Sequence, residues 1–339
     1  VRRVEHLNRG VLGRPAQPVS ELGDAATVLI ATFDADRARS SVAHLAPRAR
    51  IVTLDEARLP ERMLSNPAWY LDPINFATNF ALFRDGDGVR TRLVTATYWA
   101  GYGARDAFLW LCMFDADGHR LAAWEEPLGP DQGAIVLDSA ELRRRFGLGP
   151  FAGSLFLHAL RIAGHDTVKY ALDVMSEADG AIGATHDANG FPADLYDGVP
   201  APAPGETVRV WLQNSHARPI PAGAVALAPM GGRPVPWPET VPGFGTRALD
   251  VADVLPGLAW PRQIELRAGR HIVRPRYEVV RQGTRLIAHA NVERTDLGPD
   301  PAYARLAPLL GRGFLLVAPV LPLERWRSRS EALGMCRAP

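Results

Sequence analysis

Two histidines stand beside carboxylates at the ends of two similar stretches of the chain: His186 precedes Asp187, and Glu293 follows His289. Neutral imidazoles with a carboxylate suit a divalent transition metal, and the same groups transfer protons near neutral pH. All four residues are therefore candidate catalytic residues, and the two histidines are candidate metal ligands. Their separation matches no compact motif such as HExxH. The alternative is that both histidines hold equivalent structural positions, each donating to a backbone carbonyl.

A second candidate site is the segment Asn66–Asn79 together with Trp99, because aromatic and amide side chains are dense there. Aromatic rings offer flat apolar walls and amides offer fixed donors and acceptors, which suits a sugar or another small polar ligand. The alternative is a structural plug between the N-terminal segment and the rest of the chain. The candidate ligand-binding residues are Trp69, Tyr70, Asp72, Asn75, Asn79 and Trp99.

The sequence contains none of the compact motifs of common enzymes: no GxSxG, no P-loop, no GxGxxG opening a helix and no CxxC pair. The leading interpretation is therefore a non-catalytic protein that binds a partner protein or a small polar ligand. One alternative is a metal-dependent or acid/base enzyme with its site between two repeats. Another is a carbohydrate-related binder or enzyme built on Asn66–Asn79. A divalent metal is the one cofactor that these interpretations include.

The chain repeats itself. Trp124–His186 and Trp237–His289 carry the same landmarks in the same order, including a Leu-Asp step at Leu137-Asp138 and again at Leu249-Asp250. A duplication of this size is typical of two copies of one fold packed side by side. Packing about a pseudo-twofold axis would bring the two histidines together.

Many short apolar runs separated by Pro and Gly predict antiparallel β-strands rather than long helices. We expect a mainly β fold with two tandem duplicated antiparallel β-sandwich domains, preceded by a small β-α-β segment. The expected boundaries are 1–65 for the leader and the small α/β segment, 66–190 for the first copy, 191–205 for a Pro/Gly-rich linker, 206–297 for the second copy and 298–339 for a C-terminal tail.

Each copy is similar to the small β-sandwiches of the sensory rhodopsin transducer family. The similarity lies in the layout of strands and turns, in Asn214 after a strand, and in a Leu-Asp step before a late strand. It covers one copy at a time. It implies a β-sandwich fold and assigns no activity and no site residue.

The composition excludes some classes of partner. A net charge of +1 gives no field of one sign that would attract nucleic acid. The apolar run Phe314–Leu323 is interrupted by Pro319 and Pro322 and is too short to span a bilayer. With two cysteines and no secretory signal pattern, a cytoplasmic location is expected. An exposed sheet edge would favour a homo-oligomer.

Overall fold

The computed structural model describes residues 26–33, 35–45, 49–129, 133–188, 193–269 and 272–292. Most of them lie in or between antiparallel strands, so the expected mainly β class is confirmed. The expected leader up to residue 25, the C-terminal tail and the candidate Glu293 lie outside the described residues. Within the described ranges, no helix is both long enough and apolar enough to cross a membrane.

A small N-terminal segment consists of β1 (Thr27–Ile30), α1 (Asp36–Ser41) and β2 (Arg50–Thr53), and its two strands pair in parallel. Its buried core contains only Ile30, Ala35 and Val42, with a few half-buried neighbours. Such a small core contributes little stability by itself. The segment is held to the rest of the chain by Phe33, whose ring centroid lies 4.5 Å from that of Tyr70.

Seventeen strands and two α-helices of the described residues follow as two larger units. The first unit contains β3 (Thr78–Gly86), β4 (Val89–Ala96), β5 (Phe108–Phe114), β6 (Arg120–Pro127), β7 (Ala134–Asp138), α2 (Ser139–Arg145), β8 (Phe151–Leu160), β9 (Tyr170–Ser176) and β10 (Ile182–Asp187). Helix α2 begins directly after Asp138, because the Asp138 carboxylate accepts hydrogen bonds from the backbone N–H groups of Ala140 and Glu141.

The strands of the first unit form one sheet that folds over on itself. Strands β3 and β4 pair only at their hairpin, at Asp85–Arg90 and Gly86–Val89, and β7 then takes the place beside β4. The sheet therefore separates into a layer β6-β5-β8-β3 and a layer β7-β4-β9-β10. Alternating side chains such as Leu93 on β4 and Leu155 on β8 are buried in one core.

The second unit has two separate sheets around its own core. It contains β11 (Leu195–Pro200), β12 (Glu206–Gln213), β13 (Ala226–Pro229), β14 (Val235–Pro236), β15 (Thr246–Asp250), α3 (Val251–Val254), β16 (Gln263–Arg267), β17 (Arg276–Arg281), β18 (Thr284–His289) and β19 (Asn291–Val292). The sheets have the orders β14-β13-β16-β11-β19 and β15-β12-β17-β18. Val210, Leu227 and Ile264 belong to the core of this unit.

The predicted linker 191–205 is corrected by strand β11, which lies inside it and pairs with both β16 and β19. The strand was not predicted because the stretch 191–205 is rich in Pro and Gly, which are uncommon inside strands. The ladder tolerates them because a register shift separates Tyr196 from Val199 and because Pro200 stands at the strand end. Both Tyr196 and Val199 are fully buried.

When the strands of each unit are numbered in chain order, strands with the same number occupy the same position in the layers of the two units. The first layer is β6-β5-β8-β3 in one unit and β14-β13-β16-β11 in the other, and the second layer is β7-β4-β9-β10 against β15-β12-β17-β18. In both units a short helix follows the fifth strand. The Leu-Asp steps seen in the sequence, at Asp138 and Asp250, end these fifth strands.

Candidate functional site

The two units meet along a surface that we call the seam, where β10 packs against β18. The strands approach closely because β10 carries Gly183 at the point of contact. A Cβ atom at Gly183 would lie 3.0 Å from the backbone nitrogen of Ile287, which is tighter than an ordinary contact. Ile287 is buried together with the core residues of the first unit, so the seam joins the two cores.

The seam brings His186 and His289 together, as the sequence predicts. Their rings lie edge to face, with centroids 4.9 Å apart, and His289 Nδ1 lies 2.9 Å from Thr185 Oγ1. The strand registers make the two positions equivalent: His186 is opposite Ala171 on β9, and His289 is opposite Arg276 on β17. Tyr170 on β9 and Tyr277 on β17, by contrast, do not hold equivalent positions: Tyr170 is opposite Asp187, and Tyr277 is opposite Ala288.

Asp187, beside His186 in the sequence, forms a buried ion pair. Its Oδ2 lies 3.0 Å from a guanidinium nitrogen of Arg276, and its Oδ1 lies 3.9 Å from Arg274. The same Arg276 nitrogen donates to the Tyr170 hydroxyl at 2.8 Å. Both Asp187 and Arg276 are almost completely buried. The carboxylate expected to serve as a ligand or a base therefore neutralises an arginine across the seam.

The surroundings of His289 disfavour positive charge. Burial is the largest cause that lowers the pKa of His289 to about 4, and the cations Arg274 and Arg276 lower it further, whereas Asp187 raises it. The imidazole is therefore neutral at pH 7. A divalent cation here would meet the same two arginines. In the described part of the chain, no group of three or more His, Cys, Asp or Glu side chains is arranged to hold a metal ion.

A second buried ion pair, between Arg84 on β3 and Glu278 on β17, also crosses the seam. The Arg84 guanidinium lies 4.7 Å from the ring centroid of Trp211, and Glu278 is 3.7 Å from Arg285. Sequence reasoning missed these residues. One feature of the sequence could have indicated them. Arg276 and Glu278 lie two residues apart on β17, so their side chains point to the same face of the strand, and both are buried.

Three loops meet at one end of the first unit, which we call the loop end. They are residues 66–77, 97–107 and 161–169. Strands β3 and β5 begin and β8 ends at this end, since Thr78 pairs with His158 and Phe108 pairs with Leu160. Every candidate ligand-binding residue lies here: Trp69, Tyr70, Asp72 and Asn75 in the first loop, Asn79 on β3, and Trp99 in the second loop.

Asn75 holds the first loop in shape. Its side-chain nitrogen donates to the backbone oxygens of Asn66, Trp69 and Tyr70 at 2.9–3.0 Å, and its Oδ1 accepts from the backbone N–H of Asn66. Asp72 caps the 3-10 helix Pro73–Phe76 by accepting from the backbone N–H of Ile74. These polar side chains, expected to face a ligand, satisfy the backbone of their own loop instead.

The other buried polar groups tie the three loops together. Trp99 Nε1 donates to the backbone oxygen of His165 at 2.8 Å, and the Asn79 amide donates to that of Val168 at 2.8 Å. The Tyr98 hydroxyl donates to the backbone oxygen of Thr167. Burial raises the pKa of Tyr98 to about 12, so this donor keeps its proton. The loops are therefore fixed relative to one another before any binding occurs.

Large apolar side chains point outward from this fixed end. Among the candidate residues, Tyr70, Asn75, Asn79 and Trp99 are buried, whereas Trp69 is exposed. Leu71, Phe76 and Tyr102 are further exposed side chains in the same loops, and only Tyr102 was noticed in the sequence, because exposure depends on which way each loop residue points. The exposed fractions are 55% for Trp69, 50% for Leu71, 40% for Phe76 and 57% for Tyr102.

Comparisons with known proteins do not place the chain in a family. No protein-family model matches it, and no curated protein matches it. Two solved structures resemble it weakly. The C-terminal domain of the Streptococcus agalactiae AgI/II polypeptide BspA has 8% identity and a TM-score of 0.15, over 64% of this chain and 100% of that domain. The C-terminal domain of the Streptococcus pyogenes antigen I/II-family protein AspA has 8% identity and a TM-score of 0.14, over 64% and 99%. Similarities this weak support no functional argument.

Proposed function

We propose that this chain is a non-catalytic binding protein that uses the loop end of its first unit to contact a partner protein. The observation that carries the proposal is the outward display of Trp69, Leu71, Phe76 and Tyr102 on loops already locked by hydrogen bonds. Large apolar side chains grouped on a surface are typical of interaction sites. Aromatic anchors on a preorganised surface lose little conformational freedom on binding.

The chemistry of the loop end favours a protein over a sugar or another polar ligand. A polar ligand needs donors and acceptors that face outward, and the amides of Asn75 and Asn79 are engaged with backbone groups. What remains exposed in these loops includes Trp69 and Tyr102, whose areas suit an apolar partner surface. The carbohydrate alternative predicts that a soluble sugar raises the melting temperature. No shift with any sugar of a panel at millimolar concentration would exclude it.

The enzyme alternative rests on the seam histidines, and the ion pair of Asp187 with Arg276 counts against it. Zinc gives the direct test. If the histidines bind zinc, added zinc raises the melting temperature of the wild-type protein and not that of the His186→Ala/His289→Ala variant. We expect no difference between the two responses, because arginines surround His289.

The matching strand orders of the two units support a further part of the proposal, namely that both are copies of one two-layer β-sandwich. On this view the copies diverged in their loops. Among the described residues, the corresponding loops of the second unit carry fewer exposed aromatic side chains, and the exposed Trp260 follows α3 instead. The partner surface would then belong to the first copy.

Affinity capture tests the proposed function. Wild-type protein and the variants Trp69→Ser and Tyr102→Ser are used as bait. Ile182→Ser is the control, since Ile182 is similarly exposed but pairs with Met175, near the end of β9 that is remote from the loop end. A captured protein is then purified and titrated against each bait. The proposal expects binding to weaken at least about tenfold in the two loop variants and to persist in the control. Equal binding by all four baits would refute it.

A further inference from the structure

Each unit has a cleft where its layers end near the short helix. In the first unit the cleft lies between β6, β7 and α2 and has a volume of about 330 Å³. In the second unit it lies between the β13–β14 hairpin and the segment that follows α3, with a volume of about 610 Å³. The larger cleft falls within the range typical of small-molecule sites, about 300–1,000 Å³.

The two clefts differ in chemistry. The first is lined by the carboxylates of Glu126, Asp138 and Glu141. Arg145 crosses it, with a guanidinium nitrogen 2.6 Å from Glu126. That cleft is thus acidic and bridged by an ion pair of its own.

The second cleft is apolar apart from a single cation. Its floor is formed by Val254 and Leu255, both buried in the core of the second unit, and its walls include Val235 and Leu258. Arg262 is the one charged residue in the lining. Because the floor belongs to the core, the cleft exists before a ligand arrives and needs no rearrangement to form.

Arg262 is available to a ligand. Within the described ranges, its guanidinium has no ion-pair partner, whereas Arg209 in the same unit is paired with Asp250 at 2.7 Å. An apolar cavity that ends in an unpaired guanidinium matches a molecule with an apolar body and a terminal carboxylate, because arginine forms charge-assisted hydrogen bonds with that group.

We infer that the cleft between the β13–β14 hairpin and α3 binds a small amphipathic carboxylate, with the hydrocarbon part against Val254, Leu255 and Leu258 and the carboxylate at Arg262. The site lies in the second unit. It is independent of the partner surface at the loop end, so either proposal stands if the other fails.

Octanoate is the probe for the test, and 1-octanol, which has the same chain length and no charge, is its control. Both are titrated into the full chain by calorimetry. We expect saturable one-to-one binding of octanoate and binding of octanol weaker by about tenfold, the factor that loss of one charge-assisted hydrogen bond produces.

Two pairs of variants locate the ligand. Val235→Asp adds a like charge to the cleft, and Val136→Asp makes the same change on the exposed β7 strand of the first unit. Arg262→Gln removes the cation, and Arg233→Gln removes an exposed arginine of the β13–β14 turn that lies outside the lining. We expect Val235→Asp to abolish octanoate binding and Arg262→Gln to weaken it about tenfold, with both controls unchanged.

Three results would overturn the inference. The first is no saturable octanoate binding below millimolar concentration. The second is equal affinity for octanoate and octanol with no effect of Arg262→Gln, since the cation would then play no part. The third is octanoate binding that survives Val235→Asp, which would place the ligand elsewhere on the protein. Trp69→Ser should leave octanoate binding unchanged, because Trp69 belongs to the loop end.

Discussion

The rings of His186 and His289 meet edge to face across the seam, with their centroids 4.9 Å apart. They come from equivalent strands of the two units, β10 and β18. The contact is therefore one of the points where the two units meet, and it joins strands that hold the same place in the two strand orders. Since His289 is partly buried and Arg274 and Arg276 lie nearby, this imidazole tolerates little positive charge.

The first prediction is that the protein loses stability as the pH falls from about 6.5 towards 4. In the folded chain the pKa of His289 is lowered to about 4, first by burial and then by Arg274, Arg276 and His186, with Asp187 acting in the opposite direction. The unfolded chain binds the proton near the ordinary pKa of about 6.5. Acid therefore favours the unfolded state across this interval, and the loss is complete below the folded pKa.

Urea denaturation at pH 7.5, 6 and 4.5 measures this effect. His289→Gln should show a smaller fall in the free energy of unfolding than the wild type, because the titrating group is gone. His119→Gln is the control, since the side chain of His119 is exposed. Identical pH profiles for wild type and His289→Gln would contradict the assignment.

The second prediction concerns the buried ion pair of Asp187 with Arg276. Asp187→Asn leaves a buried guanidinium without its counter-charge and should lower the free energy of unfolding by about 3–5 kcal/mol. Asp173→Asn breaks the more exposed pair with Arg92 and should cost less than about 1 kcal/mol. Urea denaturation at pH 7.5 compares the two. If both variants lost the same small amount of unfolding free energy, water would have more access to the seam than the burial of Asp187 indicates.

Parts of this architecture follow directly from the sequence. The Asp138 cap of α2, the hairpin turn at Asp85–Gly88 and the meeting of the two histidines rest on local rules or on the repeat. Local rules apply because the hydrogen bonds involved link residues only a few positions apart. The meeting of the histidines is a long-range contact, and it accords with the matching strand orders of the two units.

Other parts depend on contacts that no local pattern records. The burial of Glu278 arises from its meeting with Arg84, almost two hundred residues earlier in the chain. The outward direction of Trp69 and the inward direction of Tyr70 follow from the hydrogen bonds of Asn75, not from residue type. The candidate residues at the loop end lie close together mainly because most of them share one segment of the chain. Which of them support the loop and which are exposed was visible only in the fold.

The third prediction separates scaffold from surface at the loop end. Asn75→Ala removes three hydrogen bonds to backbone oxygens and one from a backbone N–H, and it should cost about 1–3 kcal/mol of stability. Hydrogen exchange should then show loss of protection within residues 66–77. Trp69→Ser removes an exposed side chain and should leave both stability and exchange unchanged. If both variants behave alike, Asn75 does not hold the loop.

The fourth prediction tests how tightly the seam closes. A Cβ at Gly183 would lie 3.0 Å from the Ile287 nitrogen and 3.1 Å from its Cγ2 atom, so Gly183→Val must push β10 away from β18. We expect a loss of about 1–3 kcal/mol in the free energy of unfolding. Gly101→Ala is the control, because nothing lies within 4 Å of its added Cβ.

The substitution Gly183→Val has a second expected consequence. Strands β10 and β18 are the outermost strands of their sheets, and each covers the other in the intact protein. Exposed outer strands invite pairing with another molecule, so a seam opened by Gly183→Val should produce concentration-dependent association in light scattering. The Gly101→Ala control should scatter like the wild type. A Gly183→Val protein that is destabilised and yet does not associate more than the wild type would show that the seam joins the cores without protecting the sheet edges.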